Sequence, residues 1–127
     1  MGVGVQLTSE LAGFEFFPNK PFYNFPDYPN QILRWLDLTL GLFLVALSEE
    51  FIFRSLWNSL SSKYGLNKLF SVVSGAVLFS LIHWSTGGKV LIQSFLWGAF
   101  HLVFFFKTRD LRTCILSHYI SNFILFV

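Results

Sequence analysis

No proline interrupts the chain after Pro29, and from Gln31 onward the sequence falls into four apolar stretches: Gln31 to Ser62, Asn67 to Trp84, Lys89 to Lys107 and Asp110 to Val127. Each lacks the residue that breaks helices and runs to ~18 residues or more, close to the ~20 needed to cross a hydrocarbon core. The first contains a single glycine, Gly41, and as one helix it reaches nearly ~50 Å at ~1.5 Å per residue, enough to span a bilayer and overhang it. Ser85-Thr86-Gly87-Gly88 closes the second stretch, Phe104-Phe105-Phe106 lies at the end of the third, and Asp110 is placed as the N-cap of the fourth. The expected fold is an all-α, polytopic membrane helix bundle with about four transmembrane helices.

Composition agrees. Of 127 residues, 54% are hydrophobic and 13% charged, with seventeen Phe and four Trp, whereas an average soluble domain carries roughly 25% charged residues. This balance excludes a disordered tail. The net charge of +2 comes from nine Lys and Arg spread along the chain, so no basic stripe exists for nucleic acid and none is expected as a partner. The single cysteine, Cys114, excludes an intramolecular disulfide and a structural Cys-zinc site.

The chain divides into an interfacial N-terminal segment, 1–30, and a membrane-embedded domain, 31–127. Residues Gly2 to Asn30 hold all four prolines (Pro18, Pro21, Pro26, Pro29) among seven Phe and Tyr residues, a composition suited to the headgroup zone. They lack the basic start and apolar run of a cleavable signal peptide. Lys63 and Lys68 flank the first connection and Lys107, Arg109 and Arg112 the third, against Lys20, Arg34 and Lys89 on the opposite side. Basic loops stay in the cytoplasm, so both termini are expected on the non-cytoplasmic side, in a prokaryotic inner membrane.

Charged residues inside membrane helices cost a few kcal/mol each and require a partner or a function. Here they form three clusters. In Ser48-Glu49-Glu50-Phe51-Ile52-Phe53-Arg54, Glu50 and Arg54 are four apart on one helix face in the favourable acid-then-base order. Glu49 lies about 100° around the helix and has no obvious local partner, which suits it to general acid or base work. The purely structural reading is a buried ionic knot of Glu49, Glu50 and Arg54. The second cluster, Phe79-Ser80-Leu81-Ile82-His83, contributes an imidazole, and the third, His118-Tyr119-Ile120-Ser121-Asn122, puts His118 and Asn122 on one face. Measured from Ser62, Asn67 and Asp110, the depths are about 20 Å for Glu49, about 24 Å for His83, and about 12 and 18 Å for His118 and Asn122. All four fit one interior slab. A carboxylate, two imidazoles and an amide together supply a base for water and donors for an oxyanion.

Glu49-Glu50-x-x-x-Arg54, Phe79-x-x-x-His83 and His118-x-x-x-Asn122 together resemble the three ordered motifs of the CPBP (CAAX protease and bacteriocin-processing) family of intramembrane proteases, which includes the Rce1-type CAAX prenyl endopeptidases. The match runs from about Leu47 to Asn122. The resemblance implies peptide-bond hydrolysis by a glutamate-activated water in a cavity within the bilayer, without a cofactor. Glu49 then looks like the general base, with His83 its partner in holding the water. His118 and Asn122 look like the oxyanion donors, and Glu50 and Arg54 like a supporting pair. The implied substrate is a membrane-associated peptide or protein, cut for instance in a C-terminal tail. Prenyl endopeptidases have more helices than the four read here, so prenylation of the substrate is not assumed and a further copy of the chain has room to contribute.

Four other readings compete. Glu49, His83 and His118 match the His-His-carboxylate set of a catalytic zinc, although no HExxH helix is present. Cys114 and His118, four apart, are spaced for a thiolate pair, against the usual behaviour of free Cys as a small apolar packer. A non-catalytic immunity or scaffold protein would use the same polar cluster to bind a peptide or hold helices, and transport is the weakest of the four. His101, about 9 Å from the Lys107 end, is read as outside the catalytic set, either supporting it or snorkelling to water. Gly98 and Ala99 are read as sites of close helix packing.

Overall fold

A computed structural model describes residues 27–127, so all but the last four residues of the N-terminal segment 1–30 lie outside the described region. The described residues are helical, with no strand. The first helix, α1, runs over residues 31–63 and is continuous, but two π-helical turns divide it: Gln31–Leu36, Asp37–Gly41 (π), Leu42–Glu50, Phe51–Leu56 (π) and Trp57–Lys63. It starts where Asn30 caps it, the Oδ1 accepting from the Ile32 amide at 2.8 Å. It stops at Gly65, whose φ of 65° only glycine adopts without strain. There the Leu66 amide reaches back to the Ser61 carbonyl at 2.9 Å, satisfying one of the otherwise open carbonyls of the last turn.

Helix α2 is Lys68–Leu81, capped by Asn67, whose side chain accepts from the Phe70 amide at 2.8 Å. It ends three residues before the expected Trp84, and a short 3-10 turn, Trp84–Thr86, follows. His83 therefore sits in the turn rather than on the helix, with φ −97° and ψ 10°. The cause is local hydrogen bonding: the His83 amide takes the Ser80 carbonyl and the Thr86 amide takes that of His83, tightening the chain past the α-helical pitch. Helix α3, Gly88–Thr108, closes on Arg109 in the left-handed conformation, and α4, Leu111–Phe126, starts at the expected cap, Asp110. The Asp110 carboxylate accepts from the Arg112 and Thr113 amides and from the Thr113 hydroxyl.

The helices pair α2 on α3 and the middle of α1 on α4, with α3 also touching α4. Glycine sets the closeness of two contacts. A Cβ on Gly98 would lie 3.0 Å from the Phe79 ring, as expected for a packing glycine, and a Cβ on Gly75 would lie 2.6 Å from the Trp57 indole nitrogen. That indole N–H donates to the Ser71 carbonyl at 2.9 Å, so Trp57 ties α1 to α2.

Burial runs opposite to that of a water-soluble domain. Glu50, Arg54, His101 and His118 are inside, alongside Ala46, Ala76, Phe79, Leu102 and Cys114, while Leu69, Leu96, Phe100, Ile124 and many other large apolar residues face outward. An apolar exterior of that extent marks a surface that meets lipid. Among the described residues, helix α3 alone is a single regular helix long and apolar enough to cross a membrane. Helix α1 exceeds that length only when its five segments are taken as one.

Candidate active site

The polar interior is assembled on the middle of α1. Glu49 and Glu50 close the Leu42–Glu50 segment, and Arg54 lies within the π turn Phe51–Leu56 that follows. Arg54 Nε approaches Glu50 Oε2 to 2.9 Å, and both side chains are completely buried. The spacing expected for this pair is thus realised across the π turn. The two meet as an ion pair rather than through an aligned hydrogen bond, and Arg54 Nη1 and Nη2 find no acceptor among the described residues.

Helix α4 brings the third partner. His118 Nδ1 donates to Glu50 Oε1 at 2.8 Å, so the two Glu50 oxygens are divided between an imidazole and a guanidinium. The other ring nitrogen, Nε2, lies 3.7 Å from Glu49 Oε2. Because Nδ1–H is committed to Glu50, Nε2 accepts in the neutral ring and donates in the doubly protonated one. The Glu49 side chain keeps 19% of its surface, whereas that of Glu50 keeps none. Of two adjacent carboxylates, one is locked in place and the other remains reachable.

Phe79, from α2, is the platform under these groups. The Arg54 guanidinium carbon lies 4.8 Å from its ring centroid, a cation–π contact. The His83 and His118 rings lie 5.2 and 6.2 Å from it, and Phe53 packs edge-on at 5.2 Å. The sequence pairs Phe79 with His83 by spacing alone; its reach to both Arg54 and His118 is a tertiary property. His83 Nδ1 donates to the Phe79 carbonyl at 3.0 Å, which leaves Nε2 as a free acceptor. The Phe79 ring thus contacts both His83 and His118, and His118 Nε2 in turn lies 3.7 Å from Glu49. Asn122 stands one turn beyond His118 on α4, partly exposed, and its side chain forms no hydrogen bond among the described residues.

Two alternatives from the sequence meet different surroundings. Cys114 is buried and free. His118 directs one nitrogen to Glu50 and presents the other to Glu49, so the geometry supports the packing reading of Cys114. Among the described residues no group of three or more His, Cys, Asp or Glu is spaced to hold a metal ion. His101 does not snorkel to water. It is 1% exposed, its ring 6.2 Å from that of His118 and 4.3 Å from that of Trp97. Depth counting along α3 did not reveal this because depth says nothing about which way a side chain points.

The family model for type II CAAX prenyl endopeptidases, Rce1-like, matches residues 31–124. The chain belongs to this Rce1-like family. Membership makes it a membrane protein of a peptidase family, and the matched range takes in all three polar clusters and the whole of α1 to α3. No curated protein and no solved structure matches the chain.

Proposed function

We propose that the chain is an intramembrane endopeptidase in which Glu49 activates a water for attack on a peptide bond of a membrane-associated protein. The observation that carries this reading is the division of labour between the two carboxylates: Glu50 is buried between Arg54 and His118, and Glu49 is left accessible beside His118 Nε2. A base that must exchange protons with water needs that access.

In this mechanism the water gives one hydrogen bond to Glu49 and the other to His83 Nε2, and its oxygen attacks the carbonyl carbon as Glu49 takes the proton. The new C–O bond puts charge on the carbonyl oxygen. His118 Nε2–H, in the doubly protonated ring, and the Asn122 side-chain amide are the donors that stabilise it. Collapse breaks the C–N bond, and the proton held by Glu49 passes to the leaving amine. Arg54 and Glu50 keep the His118 ring oriented throughout. The four helices lie across the bilayer with both termini on the non-cytoplasmic face, and a C-terminal tail is the substrate segment that fits the resemblance.

Glu49→Gln keeps size and hydrogen bonding but removes the base. We expect it to fold with the thermal stability of the native chain while cleavage of membrane peptides falls by about 10²–10⁴. Retained cleavage in Glu49→Gln overturns the mechanism, and retention of a cellular phenotype in the absence of any cleavage supports a scaffold instead.

A further inference from the structure

We propose that His101 is a positioning residue of this site, linked to Arg54 through one buried water. The inference rests on the peptidase reading above for its kinetic consequence, though not for the link itself. His101 Nδ1 donates to the Trp97 carbonyl at 3.2 Å, so Nε2 carries the lone pair. That Nε2 is buried and has no partner among the described residues; nor have Arg54 Nη1 and Nη2. The His101 ring lies 6.2 Å from that of His118, which shares Glu50 with Arg54, so acceptor and donors border one interior. Phe79 borders the same space, with Arg54 over its ring and Gly98, one turn before His101 on α3, against its edge.

A buried polar atom left unsatisfied loses its hydration with nothing in return, so three together demand a partner. Two donors and one acceptor are complementary to water: its oxygen accepts from both guanidinium N–H groups and one hydrogen goes to Nε2. Three hydrogen bonds is the usual complement of a buried water. The result is a relay from α3 through Arg54 to Glu50, and from Glu50 Oε1 to His118 Nδ1. His101 thereby fixes the rotation of a guanidinium held otherwise by its Nε contact with Glu50 and by the face of Phe79. Trp97 and Phe100, packed on the imidazole at 4.3 and 5.5 Å, hold its plane.

The test compares His101→Leu, which removes the acceptor, with His101→Gln, which retains one, in the full chain embedded in lipid nanodiscs. Two quantities are read: the ¹⁵N spectrum of the His118 ring, and kcat and KM for a membrane peptide that the native chain cleaves. The native His118 ring shows a fixed proton on Nδ1. His101→Leu frees that proton to exchange with water and lowers kcat about tenfold or more with KM little changed, as expected of a misoriented group; His101→Gln restores both. An unchanged His118 spectrum in His101→Leu overturns the link, as does His101→Gln behaving like His101→Leu. If Glu49→Gln cleaves like the native chain, the peptidase mechanism fails, while the His118 spectrum still decides the link.

Discussion

Glu49 and Glu50 are adjacent in sequence yet occupy different chemical positions, and the difference comes from what surrounds each oxygen. Both oxygens of Glu50 are engaged inside the bundle, by Arg54 and by His118, whereas Glu49 meets His118 at 3.7 Å and keeps a path to the outside. Removing one partner of a buried pair strands the other charge and costs about 3–5 kcal/mol, so Arg54→Leu should lower the unfolding temperature sharply, read by heating in detergent. Cys114→Ser should leave cleavage within about twofold of the native rate, because a buried free Cys acts as a small apolar packer. Loss of activity in that variant would hand the nucleophile to sulfur. Activity should also persist in the presence of a strong chelator; a loss restored by added zinc would move the activated water from Glu49 to a metal held by Glu49, His83 and His118. The Glu50–Arg54 pair was legible because a helix puts residues four apart on one face. The choice of Glu50 rather than Glu49 as acceptor for His118 Nδ1 was not, since it depends on the orientation of α4 against α1. The burial of His101 was hidden for the same reason.

At the level of elements, caps and turns decide where each helix begins. Asn30, Asn67 and Asp110 all accept amide hydrogen bonds at helix starts, and the sequence announces Asp110 through its place ahead of an apolar run. The Thr113 hydroxyl and amide beside Asp110 hold its carboxyl below its ordinary value of 3.8. A group depressed in this way stabilises the fold above that ordinary value and ceases to do so as the pH falls through the lower folded value. The start of α4 should therefore fray only in strong acid, and Asp110→Ala should reproduce the fraying at neutral pH, both visible as faster amide exchange at Arg112 and Thr113. Unchanged exchange in Asp110→Ala would contradict the assigned cap. The two π turns of α1 were not legible in the sequence; each carries one buried residue, Leu38 in the first and Arg54 in the second. The early end of α2 was equally hidden: it follows from 3-10 hydrogen bonds around His83, and the glycine pair that signals the stop lies beyond them.

The described residues as a whole keep Glu50, Arg54, His101 and His118 inside and a broad apolar surface outside, an arrangement stable only where the surroundings are apolar too. Composition alone made that legible, since 54% hydrophobic residues with seventeen Phe exceed what an interior of this size can hold. The charge of the connections predicts the orientation. Lys63→Cys and Thr108→Cys, each in the Cys114→Ser background, should react with an impermeant thiol reagent only after cells are opened, and an N-terminal tag should be reachable in intact cells. The reverse pattern would invert the topology. The central claim is that this interior is a peptidase site driven by Glu49, and the most direct test is a comparison of newly formed peptide ends, by mass spectrometry of membrane proteins, in source cells carrying the native chain, Glu49→Gln or His83→Ala at matched expression. The account predicts a set of ends present with the native chain and missing from both variants. Identical ends in all three would contradict it.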